Sequence, residues 1–185
     1  MPSINEFKSM VAGGSGLALA NRFKISFTLP ASARANLAEM YDESVDGETL
    51  NLLCDATGLP GRQIMTIDYQ AHKQNIKIPY GFINEDVNFT FLLTSDYYVK
   101  KVFDAWTKST INFNTYRANY LTNHITNIEI IQQHKGKERD EDIYGVRLIN
   151  AYPTTIGMIG LENTAENTIQ KLAVTITYEN FEILD

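Results

Sequence analysis

Alternating apolar and polar residues dominate the chain from Asn21 onward and predict β-strands. The clearest stretches are residues 23–29, where every second residue is apolar until Pro30, and residues 87–93. This period of two places one face of a strand in a core and the other face in solvent. Less regular stretches of the same kind predict further strands at residues 50–57, 126–132, 142–151 and 168–184.

A long β-hairpin is predicted at residues 62–80, directly after the turn signal Gly58-Leu59-Pro60-Gly61. Its two arms, residues 63–69 and 73–79, have a modest apolar content for their length. A two-stranded ribbon is only marginally stable in water by itself. We therefore expect this hairpin to project from the body of the protein and to lie against a partner.

One amphipathic helix is predicted at residues 96–109, where the period of two ends. Its apolar residues recur at intervals of three and four and define one face: Val99, Val102, Phe103 and Trp106. Ser95 or Asp96 can serve as the N-cap. About eight strands with one helix, and no alternation of strands with helices, predict a mainly β (α+β) fold, an antiparallel β-sandwich or barrel with this helix on its flank.

The start of the chain differs from the rest. Residues 1–20 contain the run Gly13-Gly14-Ser15-Gly16, which predicts a flexible N-terminal arm, whereas residues 21–185 are expected to form a single domain. The first 20 residues also bear a weak likeness to a secretory signal. Glu6 and the glycine-rich run oppose that interpretation.

The charge balance is acidic, with 22 Asp and Glu against 16 Lys and Arg and a formal net charge of −6. Five of the acidic residues fall in residues 31–49, which predict an exposed acidic loop insertion with a helical turn near residues 35–40. An acidic chain without a basic face is not typical of nucleic-acid binders. No apolar run reaches the length of a membrane span, so no membrane anchor is expected.

Candidate catalytic or ligand-binding residues are few. The three histidines fall in predicted turns or connections, far apart in the sequence, and are expected to be solvated: His72, His124 and His134. Cys54 lies in a predicted strand and is interpreted as a small, buried apolar residue. Asp55 and Asp68 could meet across strands, but carboxylate pairs on sheet surfaces commonly arise by chance. We expect no catalytic, cofactor-binding or metal-binding residue and no cofactor.

Several segments share a recognisable order and spacing. They are Cys54–Gly61, Ile78–Gly81, the step from Val87–Phe91 to Phe103–Trp106, Asn150–Gly157 and Val174–Tyr178. Taken together, from about Asn21 to Leu184, they resemble the tail-tube proteins of contractile-tailed bacteriophages. The acidic insertion at residues 31–49 has no counterpart in that family pattern.

The resemblance implies a structural virion protein that assembles with copies of itself. Homohexameric rings would stack into a hollow tube, with the inner strands of six subunits closing into one continuous barrel. The arm and the hairpin would bridge neighbouring subunits and rings, through the interface residues Leu17, Leu19, Ile67, Tyr69, Ile76 and Ile78. Further implied partners are the tail sheath protein, the baseplate or tube initiator and the tail terminator.

The resemblance also implies a place and a task for the assembled tube. A tape-measure protein and the genome DNA would occupy the lumen without specific binding, and sheath contraction would drive the tube through the host envelope. The protein would be located in the virion, as the phage tail tube, after assembly in the host cytoplasm.

Three alternatives remain open from the sequence. The first is a tube-initiating baseplate protein or tail-terminator protein of the same fold. The second is the tube protein of a type VI secretion system or of a pyocin-like contractile particle. The third, from a different class, is a small β-sandwich that binds or hydrolyses carbohydrate.

Overall fold

The structure is a computed structural model that describes residues 3–13, 17–44, 47–71, 74–135, 140–163 and 168–184. The helices are α1 (Ile4–Gly13), α2 (Ala31–Tyr41), α3 (Gly47–Leu52), α4 (Tyr98–Thr110) and α5 (Leu121–His124). The strands are β1 (Phe23–Phe27), β2 (Cys54–Thr57), β3 (Arg62–Ala71), β4 (Gln74–Asn84), β5 (Val87–Leu92), β6 (Ile111–Asn112), β7 (Arg117–Ala118), β8 (Thr126–Lys135), β9 (Asp140–Ile156), β10 (Lys171–Thr177) and β11 (Asn180–Leu184).

The body of the protein consists of antiparallel strands arranged in two connected sheets. Sheet A has the order β1-β8-β9-β11, and sheet B has the order β9-β10-β5-β2. Strand β9, which is 17 residues long, belongs to both sheets. The mainly β, antiparallel class predicted from the sequence is therefore confirmed. Among the described strands, no pairing closes the sheets into a barrel.

Strand β9 changes sheets at Asn150. This residue has φ of 55°, and the pairing of β9 with β8 is irregular beside it, since Thr126 pairs with Ala151 but Ile128 pairs with Leu148. An extra residue of this kind bends a strand and increases its twist. The bend lets the first part of β9 pair with β8 and β11 and its last part pair with β10.

The core lies between the sheets and the helices and is rich in aromatic side chains. Phe91 is at its centre, with its ring centroid 5.1 Å from that of Phe103 and 5.9 Å from that of Phe27. Trp106 continues the cluster, and its indole N–H donates to the His124 carbonyl over 2.7 Å. Apolar burial of this kind is the main stabilising contribution to the fold.

Helix α4 confirms the predicted helix, with its start two residues later than expected. Its apolar residues are buried as predicted: Val99, Val102, Phe103 and Trp106. Neither Ser95 nor Asp96 is the N-cap residue. That position is taken by Tyr97, with φ of 57°, while the Asp96 carboxylate accepts a 3.4 Å hydrogen bond from the Tyr98 N–H.

The prediction of an exposed loop at residues 31–49 is wrong, because this segment contains α2 and the start of α3; the helical turn expected near residues 35–40 is part of α2. Helix α2 buries Ala33 and Leu37 against α4, and the Asn36 side chain donates to the Ala105 carbonyl over 3.2 Å. Only two of its eleven residues are buried, and apolar and polar residues are mixed around the helix, so the sequence shows no clear apolar face. Residues 45 and 46 lie outside the described residues.

Other boundaries also differ from the predictions. The strand expected at residues 50–57 is the end of α3 followed by the short β2, and the long final strand is divided into β10 and β11 at Tyr178 and Glu179. This division faces the bend of β9, where the Glu179 N–H donates to the Ile149 carbonyl over 3.0 Å. The hairpin is longer than predicted, since β4 continues to Asn84.

The aromatic core yields a stability prediction. Phe91 is fully buried, so replacing Phe91 by Ala is expected to lower the free energy of unfolding by about 3–5 kcal/mol, because it removes buried surface and leaves a cavity. Chemical denaturation of the dilute protein measures this change. Phe113→Ala, at an exposed position, is the matched control and is expected to cost about 1 kcal/mol or less. Equal losses in the two variants would contradict the assigned core.

Candidate interaction surfaces

The hairpin formed by β3 and β4 carries an uncovered apolar face. Ile67 pairs with Ile78 and Tyr69 pairs with Ile76, and directly paired residues share one face of an antiparallel ribbon. We call these four side chains the apolar hairpin face. Their exposed fractions are 60% for Ile67, 57% for Tyr69, 47% for Ile76 and 43% for Ile78. The structure therefore brings together the four hairpin residues that the sequence selected.

The opposite face of the same part of the ribbon is polar. It carries two cross-strand pairs, Asp68 with Lys77 and Gln70 with Asn75. A ribbon that is apolar on one side and polar on the other has the pattern of a strand pair that covers a core. No described residue covers the apolar side. The tip at residues 72 and 73, including His72, lies outside the described residues.

The root of the hairpin is fixed to the body at β11. The Arg62 guanidinium donates from Nη2 to Asn180 Oδ1 over 2.6 Å and from Nε to Asn84 Oδ1 over 3.0 Å. The same group lies over the Phe181 ring, 4.3 Å from its centroid. Charge-assisted hydrogen bonds together with a cation–π contact make a directional junction. The hairpin consequently emerges beside the β11 edge of sheet A.

Leu17 and Leu19, the candidate residues of the arm, lie apart from the hairpin. Both are exposed. The Leu19 carbonyl accepts hydrogen bonds from the Gln132 side chain over 2.7 Å and from the Arg22 N–H over 3.3 Å, which links this segment to the start of β1 and to β8. Helix α1 precedes it, and residues 14–16 lie outside the described residues. The role of the arm in contacts remains a prediction.

Both outer strands of sheet A have an edge without a strand partner in the described residues. One edge is β1 and the other is β11. Unpaired backbone N–H and C=O groups at such edges are ready to pair with another chain. The residue pattern does not indicate which strands form these edges, because neighbouring strands of the sheet are distant in the chain.

The outward face of sheet A is polar and holds a row of charges. Ser26, Glu129, Arg147 and Glu182 are directly paired across the four strands. The Arg147 guanidinium binds Glu129 Oε1 through Nε at 3.0 Å and Nη2 at 2.8 Å. Side chains of this face line a shallow, open depression of about 340 Å³. Neutral polar and charged side chains line this depression, as is usual for a sheet face in contact with solvent.

Cys54 and the two candidate carboxylates do not form a reactive group. Burial, and to a smaller degree the neighbouring Asp55 carboxylate, raise the pKa of the Cys54 thiol to about 12. Asp55 binds Lys171 Nζ at 2.7 Å, whereas Asp68 lies on the hairpin opposite Lys77. The sequence-based possibility that Asp55 and Asp68 meet is therefore wrong. Half-burial of Cys54 agrees in part with its interpretation as a buried apolar residue.

His124 is buried, so the prediction that it is a solvated loop residue is wrong. It ends α5, its ring makes an edge-to-face contact with Tyr152 at 5.4 Å, and its Nδ1 has no hydrogen-bond partner in the described structure. Burial lowers the pKa of His124, with a smaller opposing effect of the Tyr120 backbone. A four-residue helix is too short to show the periodicity that would reveal this burial. His134 is half-buried in β8.

Among the residues that the structure describes, no group of three or more His, Cys, Asp and Glu side chains is arranged to hold a metal ion. None of the described helices combines the length and the apolar character needed to cross a membrane.

Residues 18–184 match the family model described as phage tail tube protein. No curated protein sequence shows significant similarity to the chain. Among solved structures, the chain is similar to one from the six-fold symmetrised cryo-EM structure of the anti-feeding prophage baseplate. The TM-score is 0.63 at 12% identity, over 92% of this chain and 97% of that one.

Two further structures are similar in fold. A chain of the tube-terminating cap of the anti-feeding prophage gives a TM-score of 0.59 at 16% identity, with 91% of both chains covered. A chain of the sheath–tube complex of an extracellular contractile injection system, in its extended state, gives 0.55 at 16% identity, again with 91% of both chains covered. At these identities the similarity concerns the fold.

The environment of Cys54 yields a reactivity prediction. Since the thiolate is the reactive form, we expect iodoacetamide at pH 8 to alkylate Cys54 in the native protein more than about a hundredfold more slowly than in urea. Mass spectrometry over time measures both rates. Comparable rates would contradict the raised pKa.

Burial of His124 yields a pH prediction. Because its pKa is lower in the folded than in the unfolded protein, the unfolded state binds more protons as the pH falls through and below about 6.5, and the folded state loses stability there. His124→Phe keeps an aromatic ring beside Tyr152 but removes this titration. We expect the free energy of unfolding to fall less between pH 7 and pH 5 in the variant than in the parent protein. If the free energy of unfolding falls equally with pH in the two proteins, His124 is not the cause of the lost stability.

Proposed function

Because the chain belongs to the phage tail tube protein family, we propose that it is the structural subunit of a tail tube, assembled from rings of identical copies. The observation that carries this proposal is the pair of free edges, β1 and β11, on the two sides of sheet A. In a lone subunit neither edge has a strand partner among the described residues, whereas a closed ring pairs every edge with a neighbour.

The strand directions support ring closure. Strand β1 is antiparallel to β8, β8 to β9 and β9 to β11, so β1 and β11 run in opposite directions. Joining β11 of one copy to β1 of the next therefore extends the antiparallel pattern without interruption. Six copies, as the family resemblance implies, would close their sheets A into one continuous barrel around a lumen.

The apolar hairpin face is proposed to pack against a neighbouring copy. Ile67, Tyr69, Ile76 and Ile78 form a contiguous apolar surface on a ribbon whose root is bonded to the β11 edge. Contiguous exposed apolar surface of this kind marks protein–protein contacts. Leu17 and Leu19 of the arm are proposed to make contacts between subunits or rings. The division into an arm, residues 1–20, and one domain, residues 21–185, is part of this proposal.

The more specific function proposed for the assembled tube is that of the inner tube of a contractile tail. Similarity in fold to chains of baseplate, cap and sheath–tube structures supports a tube with a sheath around it and with initiator and terminator proteins at its ends. The proposed tube is a virion component, assembled in the host cytoplasm, that conducts DNA past a tape-measure protein and crosses the host envelope on contraction. Its net charge of −6 per subunit disfavours binding of DNA phosphates. No catalytic function is proposed.

A second candidate is a tube component of a contractile injection particle without a genome. This candidate is supported by the similar folds of chains from the anti-feeding prophage and from an extracellular contractile injection system. Adjacent capsid and portal genes would favour the phage role. An initiator or terminator would form single rings, whereas a major tube protein would form long tubes in electron micrographs of the purified protein. Particles that stay at 20.9 kDa at every concentration would contradict the proposal.

The apolar hairpin face yields an assembly prediction. Replacing Ile76 and Ile78 by Asp is expected to abolish tubes in electron micrographs while leaving the denaturation midpoint of the dilute subunit unchanged, because the face is outside the core. The matched control replaces Gln70 and Asn75 by Asp, which adds the same charge on the polar face. Normal tubes from the Ile76 and Ile78 variant would refute the assignment.

A further inference from the structure

The free edge of β1 ends at a defined residue. The Phe27 N–H points away from β8 and donates to the Asn51 side chain over 3.2 Å. In an antiparallel pair, residues two apart direct their N–H groups to the same side. The backbone groups of Phe23 and Ile25 therefore point outward from the same edge, but Ile25 is only 2% exposed and α3 packs beside this part of β1. Asn51 closes the edge at Phe27, and a strand partner beside Ile25 requires α3 to shift outward.

A groove of mixed polarity accompanies this part of β1. It has a volume of about 350 Å³ and lies between β1 and α3. Its lining combines apolar residues (Phe23, Ile25 and Leu52) with polar or charged ones (Lys24, Glu48, Asn51 and Gln133). Leu52 is 84% exposed. Unpaired backbone beside an exposed leucine fits an added strand that carries an apolar side chain on the core side of the sheet.

The β11 edge has matching features. Ile183 lies in the core-facing row with Val146 yet is 57% exposed, because nothing described covers it at the edge. Glu182 lies on the opposite, polar face, in the row in which Arg147 already binds Glu129. Along this row the charge is negative at Glu129, positive at Arg147 and negative again at Glu182, which lies at the free edge. A basic residue on the next strand would continue the alternation.

Lys24 is the residue that fits this position. It is exposed on the polar face of β1 and forms no ion pair with any residue of the described segments. Opposite charges directly across two strands stabilise the pairing.

We propose that β11 of one copy pairs with β1 of the next in a single register, with Glu182 opposite Lys24 and Ile183 opposite Phe23. This inference rests on the proposed ring assembly and adds its register. In this register Phe181 faces Ile25, and Phe27, whose edge is closed by Asn51, faces Glu179, which precedes β11. Pairing of Phe181 with Ile25 therefore includes an outward shift of α3 from the β1 edge. Ile183 enters the groove beside Leu52.

The first experiment exchanges the charges across the joint. Lys24→Glu or Glu182→Lys alone is expected to raise the lowest protein concentration that gives tubes by about fivefold or more, because like charges then face each other. The double variant is expected to restore the parent value. Lys108→Glu, with the same charge change on α4, is the matched control and is expected to assemble normally. Absence of rescue in the double variant would overturn the pairing of Lys24 with Glu182.

The second experiment traps the register covalently. In a Cys54→Ala background, Lys24→Cys with Glu182→Cys is expected to give, on mild oxidation of assembled protein, a ladder of disulfide-linked oligomers that ends at the closed ring. Directly opposite residues have Cβ atoms close enough for such a bond. The control combines Ser26→Cys with Glu182→Cys, a register shifted by two residues, and is expected to give little cross-linking.

The outcomes separate the two proposals. Tubes that form normally but give no ladder with Lys24→Cys and Glu182→Cys, or give a stronger ladder with the shifted control, would overturn the register and leave the tube function standing. Failure of the unmodified protein to form rings or tubes under any condition would instead contradict the proposed function. Each single-cysteine variant tests the direction of the joint: a head-to-tail contact gives no disulfide-linked dimer, whereas a contact that brings the same residue of two copies together gives one.

Discussion

Backbone pairing along strand β9 is the constraint on which the rest of the structure depends. This one strand contributes to both sheets, with β8 and β11 beside its first part and β10 beside its last part. The bend at Asn150 makes that sharing possible, because it redirects the strand without leaving its backbone unpaired over a long stretch. The break between β10 and β11 faces the same bend, so both changes of sheet occur at one level of the molecule.

The position of the core follows from this arrangement. Two sheets that share a strand enclose a wedge, and the aromatic side chains of Phe27, Phe91 and Phe103 fill it. Helix α4 closes one side, and α2 packs on α4. The sheet edges at β1 and β11 are left outside this enclosure, with the hairpin root bonded next to β11. Surface that a stable monomer would bury is therefore concentrated around sheet A, where contact with other copies is proposed.

Local patterns predicted those elements whose faces contrast strongly. The alternation of residues 87–93 and the apolar face of α4 reproduce the observed burial of Phe89, Phe91 and Trp106. The four apolar hairpin residues lie on one exposed face of the ribbon, and their role as an interface stays a prediction. Helix α2 lacks such a contrast, since only Ala33 and Leu37 are buried, and His124 is buried in contact with Tyr152, which is distant in the sequence.

The sequence by itself determined the antiparallel β class, the main helix and the long hairpin, since each depends on the spacing of residues within one segment. Only the tertiary structure decided which strands become edges, where β9 bends and which residues stand beside the open part of β1. The physical reason is that periodicity reports which side of a strand faces the core. The backbone hydrogen bonds that determine a strand's neighbours carry almost no side-chain signature.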